Sequence, residues 1–182
     1  MSLAEIDTLI FFFVNKGLQN NVFDIVMPFI TNKSYVIFLP LFLWFFLKNR
    51  KDACIVLVLA VASLLIADWS ANTLKHLFER IRPCNELNGV RLLVKCNPSS
   101  FSLPSNHAVN AFAFTTPFFI MFKNRIRYAL VVVAFFVALS RVYVGVHYPF
   151  DVIVGGVIGV ALASSVTVLY TRTYERFKKR NQ

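Results

Sequence analysis

Long apolar runs alternate with short clusters of charge along this chain, and the pattern predicts membrane helices. Helical spans are expected at about 33–48, 53–74, 108–122, from 128 onward, and at 152–170, where the run is uncharged. At ~1.5 Å per residue such a run covers nearly the ~30 Å hydrocarbon core of a bilayer. Lipid leaves only helices or closed barrels, and strand-like alternation is lacking. We therefore expect an all-α polytopic membrane bundle of about five to six transmembrane helices.

Two shorter apolar segments occupy residues 1–32. In residues 3–16 the apolar positions recur at helical spacing, which predicts an interfacial helix. Residues 22–30 contain Asp24 and Pro28 and are too few to cross alone. They are either re-entrant or complete a crossing with the next segment, and the sequence does not decide whether these segments cross the membrane.

Composition places the chain among integral membrane proteins. Hydrophobic residues make up 57% of its 182 residues, and the mean hydropathy is +0.62, well above soluble domains. The length suits one domain covering residues 1–182. The formal net charge of +10 does not indicate nucleic-acid binding, because the basic residues lie in short clusters between apolar runs.

Those basic clusters predict the orientation of the chain. They lie at 48–51, at 123–127 and in the tail 171–182, and with the expected spans all three fall on one side. The positive-inside rule makes that side, and the basic tail, cytoplasmic. The polar connection at 75–106 and the corner at 140–151 then share the outer side.

The corner from Ser140 to Asp151 carries the first candidate chemistry. Pro149 is suited to the first turn of a helix, which puts Asp151 in that turn, four residues after His147. A carboxylate there can accept a hydrogen bond from one imidazole nitrogen and leave the other free to attack. The alternative is a histidine and an aspartate that only cap a membrane helix.

Two further cations stand at the outer end of the second span. Lys75 and Arg82 are close to two helical turns apart, so they are expected on one face of that helix, which Pro83 ends. Alone, they are equally explained as interfacial cations that reach toward headgroups. We interpret Glu79 and Arg80 as ordinary interfacial charges of that kind.

The segment Pro104-Ser105-Asn106-His107 precedes the third span. A helix start leaves backbone N–H groups unpaired, which makes it an anion site beside a histidine that can carry a proton. A simple N-cap by Ser105 or Asn106 is the alternative interpretation, and it does not exclude anion binding.

Together these segments supply what phosphoryl transfer requires. Lys75, Arg82 and Arg141 can clamp the charge on the phosphate oxygens. His147 attacks phosphorus, protonated His107 donates to the leaving oxygen, and water then hydrolyses the phosphohistidine. No cluster of metal ligands is evident in the sequence, so we expect neither a metal ion nor another cofactor.

The order and spacing of the three segments resemble a known family. Lys75-x6-Arg82-Pro83, Pro104-Ser105-x-His107 and Ser140-Arg141-x5-His147-x3-Asp151 are similar to the signature of the type-2 phosphatidic acid phosphatase superfamily, in its membrane branch. The resemblance implies a metal-independent lipid phosphatase. It assigns the nucleophile to His147, the general acid to His107 and the orienting carboxylate to Asp151, with phosphate binding by Lys75, Arg82, Arg141, Ser105 and the Asn106 amide.

This resemblance also bears on substrate and location. Small bacterial members act on undecaprenyl pyrophosphate or the 1-phosphate of lipid A, which implies the bacterial inner membrane and a periplasmic site. Phosphatidylglycerol phosphate and phosphatidic acid are the next candidates. A lipid phosphotransferase with the same phosphohistidine is the nearest alternative function. An anion transporter is a more distant one, because its site would lie near mid-membrane on paired repeats.

Four residues remain open at this stage. Asn106 replaces the glycine usual in the family, and its side chain either narrows the pocket or binds substrate. Asp68 lies inside a span, where we expect it either to pair with a basic residue or to face the interface. Cys84 and Cys96 both lie in the outer connection, where an oxidising compartment permits a disulfide, although both can also stay free.

Overall fold

The chain is folded into helices joined by loops. The computed structural model describes residues 1–48, 50–123 and 125–180, and within those ranges it contains no β-strand. The helices are α1 (Leu3–Phe12, continued by a π-helical turn at Phe13–Gly17), α2 (Asn21–Lys48), α3 (Arg50–Phe78), α4 (Pro83–Glu86), α5 (Asn106–Met121), α6 (Ile126–Tyr143) and α7 (Pro149–Arg180). The expected all-α class is confirmed.

Helix α1 buries polar side chains and exposes apolar ones. Ser2 and Glu5 form a capping box at its start. Asp7 is buried, and the Asn15 side chain donates from Nδ2 to Tyr143 O at 2.8 Å. Leu9 is 60% exposed, as suits a residue that faces lipid. Polar contacts therefore fix this helix to the protein.

Residues 22–30 and the span that follows form one helix. α2 contains both Pro28 and Pro40, and its backbone leaves the helical region at Lys33, where φ is −132° and ψ is 33°. A kink of this kind lets the helix continue in a new direction. Of the two expectations for residues 22–30, completion of a crossing with the next segment agrees with this helix.

Helix α5 lies between α3, α6 and α7 and so connects the elements of the bundle. α5 and α7 approach closely at Gly159 of α7, where an added Cβ would clash with the carbonyl oxygen of Val109. Small residues at such a contact let two membrane helices approach closely. This packing brings the first turns of α5 and α7 together, since Ser105 N–H donates to Asp151 O at 3.0 Å.

The outer connection folds over the start of α7. Cys84 and Cys96 form a disulfide in it. Leu93 N–H donates to Val144 O at 3.2 Å. Gly145 has a φ of +89°, and an added Cβ would lie 2.7 Å from Arg91 O, so this position requires glycine. The connection is therefore a disulfide-bonded cover over the 140–151 corner.

Three stretches are long and apolar enough to cross a membrane in the part of the chain that the structure describes: Asn21–Trp44, Asp52–Glu86 and Pro149–Arg180. The chain is thus a polytopic membrane protein. α5 has 16 residues and α6 has 18, close to the lower limit for a span. The number of five to six transmembrane helices stays a prediction.

Candidate active site

The structure brings the predicted site residues together at one end of the bundle, where α3 and α6 end and α5 and α7 begin. Arg82 and Arg141 lie near both histidines, because their charges help to lower the pKa of His107 and of His147. The charge of Lys75 also lowers the pKa of His107. The described basic residues of the clusters at 48–51, 123–127 and 171–180 lie at or near the opposite ends of the helices. The site is thus at the end of the bundle that carries the outer connection.

Three cations at this site are buried without a carboxylate partner. Lys75, Arg82 and Arg141 are only 7%, 9% and 8% exposed, and none of them forms a salt bridge among the described residues. Lys75 donates to the carbonyl of Phe101 at 2.7 Å, and Arg141 donates to Thr31 Oγ1 at 2.6 Å. Uncompensated buried cations are costly, and a bound anion would remove that cost.

Arg82 reaches the site by a route that the sequence analysis did not foresee. α3 ends at Phe78, Glu79 has a φ of +47°, and Arg82 is the N-cap of the short α4. The expectation that Lys75 and Arg82 share a face of one helix is therefore wrong. A loop brings them together instead, because Arg82 Nε donates to Ser100 O at 2.8 Å, next to the carbonyl that Lys75 uses.

Ser105 and Arg141 each have a buried donor atom without a hydrogen-bond partner. Ser105 is the N-cap of α5, yet its hydroxyl makes no capping bond and is buried without a hydrogen bond. Arg141 Nε is likewise buried and unpaired. Buried polar groups are normally satisfied, so each unpaired donor indicates a place for an acceptor oxygen.

His147 and Asp151 face each other across the first turn of α7. His147 Nδ1 lies 3.5 Å from Asp151 Oδ2, longer than a usual hydrogen bond. Asp151 Oδ2 also accepts from Tyr148 N–H at 2.8 Å and from the Ser102 hydroxyl. Burial is the largest cause of a His147 pKa of about 3. The ring is therefore neutral near pH 7, with Nε2 on the side away from the carboxylate.

Arg80 belongs to the site, contrary to its interpretation as an ordinary interfacial charge. Its Nη1 donates to Asp151 Oδ1 at 2.9 Å, and its Nη2 donates to Asp7 Oδ2 at 2.7 Å. Asp7 Oδ1 also accepts from Phe150 N–H at 2.9 Å, and the guanidinium lies 4.0 Å from the ring of Tyr148. Arg80 thus connects α1 to Asp151. The available sequence signal was Asp7, a carboxylate within an apolar helix.

Replacing Arg80 with glutamine is expected to lower kcat by about 10-fold to 100-fold, the usual range for partners that orient a functional side chain. The change leaves Asp7 and Asp151 buried without their cation, so Asp151 loses its fixed position beside His147. KM should change little, because Arg80 does not face the predicted phosphate. Steady-state phosphate release gives both constants.

Arg172→Gln is the matched control, since Arg172 is exposed on α7, and it should behave as the wild type. Arg80→Lys should recover only part of kcat, because an ammonium cannot present the two parallel donors of a guanidinium. A wild-type kcat in Arg80→Gln, or a change confined to KM, would contradict the positioning role.

A cavity opens beside His107. A cavity of about 440 Å³ is lined by His107, Arg141, Asn32 and residues 93–95 of the cover. His107 and Arg141 therefore share one space, as the predicted roles of general acid and phosphate ligand require.

Asp68 is paired with asparagine amides. Its Oδ1 accepts from Asn106 Nδ2 at 3.1 Å and from Asn110 Nδ2 at 2.8 Å. It forms no salt bridge with a basic residue in the described ranges, so the expected pairing with such a residue is wrong. The Asn106 side chain turns toward α3, while its backbone amide stays in the first turn of α5.

Sequence comparison relates this chain to known membrane phosphatases. The PAP2 superfamily model matches residues 53–175. The lipid A 4'-phosphatase of Bacteroides thetaiotaomicron is 32% identical over 86% of this chain and 73% of its own length. A putative undecaprenyl-diphosphatase of Escherichia coli is 27% identical over 99% of this chain and 90% of its own.

Two solved structures are similar in fold and in sequence. Aquifex aeolicus LpxE has a TM-score of 0.69 at 26% identity and covers 91% of this chain and 98% of its own. A transmembrane PAP2-type phosphatidylglycerolphosphate phosphatase from Bacillus subtilis has a TM-score of 0.68 at 26% identity, over 93% and 87% of the two chains.

Proposed function

The chain belongs to the PAP2 superfamily as a membrane lipid phosphatase. We propose that it removes a terminal phosphate from a membrane lipid through a phosphohistidine on His147, at the outer face of the membrane. The observation that carries this proposal is the set of three buried cations without carboxylate partners. Beside them lie two unpaired buried donors, Ser105 Oγ and Arg141 Nε. A tetrahedral dianion matches that set in charge and in hydrogen bonding.

In the first proposed step His147 Nε2 attacks phosphorus. The N–P bond forms as the P–O bond to the leaving group breaks. Burial and the charges of Arg141 and Arg82 lower the pKa of His107 to about 4, and the bound phosphate dianion offsets those charges, so that His107 is protonated in the complex and gives its proton to the leaving oxygen. Lys75, Arg82 and Arg141 hold the three equatorial oxygens, where charge develops. Asp151 keeps Nδ1 of His147 oriented toward itself and stabilises the charge that the ring gains.

In the second step water attacks the phosphohistidine. His107, now neutral, takes a proton from that water as the new O–P bond forms and the N–P bond breaks. Inorganic phosphate leaves, and His147 returns to its neutral form. Both steps use only side chains of this chain, and no metal or other cofactor has a role in them.

The proposed sidedness rests on charge. The basic clusters at 48–51, 123–127 and 171–180 lie at the helix ends opposite the site. The positive-inside rule makes those ends cytoplasmic. In a bacterial membrane the site then faces the extracytoplasmic side, which in a Gram-negative cell is the periplasm.

The substrate candidates are a lipid A phosphate and undecaprenyl pyrophosphate, followed by phosphatidylglycerol phosphate and phosphatidic acid. The names of the similar proteins support the first three. Phosphate release by the purified protein in detergent–lipid micelles, with His147→Ala alongside, tests the proposal. Turnover of at least one lipid by the wild type alone supports it. Equal release by both proteins, or release by neither, would overturn it.

Replacing His107 with alanine is expected to slow phosphate release by about 10²-fold to 10⁴-fold on lipid phosphates, whose leaving oxygens are basic. On a substrate with a good leaving group, such as p-nitrophenyl phosphate, the rate of phosphate release should fall much less, since the leaving oxygen needs no proton. The ratio of kcat/KM for the two substrate types measures this difference. Equal losses on both types would show that His107 is not the general acid.

A further inference from the structure

A second cavity also borders His107 and is lined in part by a group of polar side chains. It measures about 470 Å³ and is bounded by His107 together with Asp68, Asn106 and Asn110. Asp68 and Asn72 are one turn apart on α3, and Asn106 and Asn110 are one turn apart on α5. We name these four residues, Asp68, Asn72, Asn106 and Asn110, the amide cluster.

Asp68 is the centre of the amide cluster. It accepts hydrogen bonds from Asn106 and Asn110 at Oδ1 and from Asn72 at Oδ2, the last at 3.1 Å. Asn106 Nδ2 also donates to Asn72 Oδ1 at 2.8 Å. The amide donors are thus turned toward one carboxylate. Polar side chains within a membrane-spanning stretch are costly and usually have a function.

The amide cluster leaves acceptors free. Asn106 Oδ1 and Asn110 Oδ1 are both buried and lack a hydrogen-bond partner. Together with the remaining lone pairs of Asp68 they present acceptor oxygens, and one of them is charged. A ligand that satisfies them must donate hydrogen bonds, as hydroxyl, amide N–H and amine groups do. An anionic ligand group would be repelled by Asp68.

The position of the amide cluster relates it to one part of the substrate. His107 lies between Asn106 and Asn110 in sequence, and its side chain borders both cavities. In the proposed reaction His107 protonates the leaving oxygen, so the rest of the leaving group extends past His107. The cavity continues there to an apolar wall that includes Phe38, Leu64 and Phe114, which suits the start of a hydrocarbon chain.

We propose that the amide cluster binds the leaving group of the substrate and selects lipids whose leaving alcohol carries hydrogen-bond donors beside the scissile bond. This inference rests on the proposed phosphatase function and narrows its substrate class. An acylated amino sugar meets the requirement, and so does a glycerol with a free hydroxyl. Phosphatidic acid supplies no donor there, and undecaprenyl pyrophosphate would place a phosphate beside Asp68.

The test compares kcat/KM for four lipids in the same micelles: lipid A phosphate, phosphatidylglycerol phosphate, undecaprenyl pyrophosphate and phosphatidic acid. The wild type should prefer the first two, and the better of them identifies the source of the donors. Asp68→Asn should lower the ratio of kcat/KM for that lipid over phosphatidic acid by about tenfold, as expected when a hydrogen bond to a charged group is weakened. The same variant should raise the ratio of kcat/KM for undecaprenyl pyrophosphate over phosphatidic acid.

Asp52→Asn is the matched control, because Asp52 is exposed in the first turn of the same helix, and its ratios should equal those of the wild type. Unchanged ratios in Asp68→Asn overturn the inference. If that variant does not fold, the wild-type preference alone tests the inference. Faster wild-type turnover of undecaprenyl pyrophosphate or phosphatidic acid than of the two preferred lipids overturns the inference equally. Activity of this kind leaves the proposed function intact, whereas no activity on any of the four lipids overturns both.

Discussion

Replacing His147 with glutamine is expected to lower phosphate release by roughly 10⁴-fold or more, as for other enzymes that lose their nucleophile. Glutamine has a similar length but no nitrogen that can form the phosphoenzyme. His147 is only 2% exposed and neutral at pH 7, so its lone pair is available without a separate base. Phosphate release from the preferred lipid in micelles measures the loss.

The phosphoenzyme can also be observed directly. Wild-type protein mixed with ³²P-labelled substrate and quenched in alkali should carry acid-labile phosphate, and His147→Gln should carry none. His76→Gln is the matched control, because His76 is exposed near the end of α3 and contacts only the Phe101 ring among the interactions described. Labelling or substantial turnover in His147→Gln would exclude His147 as the nucleophile.

Replacing Arg141 with glutamine is expected to lower kcat/KM by about 10²-fold to 10³-fold, the range for loss of one preorganised donor to a transition state. Arg141 is buried, its Nε has no partner, and Thr31 holds its Nη1 at 2.6 Å. The guanidinium is therefore oriented before substrate arrives. Inhibition by vanadate should weaken in parallel, because vanadate occupies the same phosphate site.

Two further variants test whether the positive charge of Arg141 is enough for activity without the geometry of its guanidinium. Arg141→Lys keeps the charge but lacks the planar pair of donors, so it should recover only part of the activity. Arg125→Gln removes an exposed arginine at the other end of α6 and should leave kcat/KM and vanadate affinity unchanged. Wild-type vanadate affinity in Arg141→Gln would place the phosphate elsewhere.

Short-range spacing explains why much of this protein was predictable. His147 and Asp151 are four residues apart, and Pro149 begins α7, so local geometry alone brings the two side chains together. Ser105 and Asn106 lie at the start of α5 for a similar reason, since a polar segment meets an apolar run there. The all-α membrane class followed from the lengths of the apolar runs.

Local residue types left one helix boundary open and misplaced another. Residues 22–30 were expected either to be re-entrant or to complete a crossing with the next segment, and α2 joins the two segments with one irregular residue at Lys33. Conversely, Lys75 and Arg82 were assigned to one helix, and the chain turns sharply between them at Glu79. Packing against neighbouring helices outweighs such local preferences, because each preference is worth only about 1–3 kcal/mol.

The sequence by itself determined the family, the membrane class and the residues expected to carry the reaction, because these depend on the lengths of apolar runs, on the spacing within short segments and on the order of those segments. Only the tertiary structure showed that Arg80 joins Asp7 and Asp151, which lie 73 and 71 residues from it. Likewise it showed that Asp68 meets Asn106, 38 residues away. Hydrophobic pattern reports where each residue lies relative to lipid. Which buried charges meet depends on which helix ends pack together, and that is decided by the bundle as a whole.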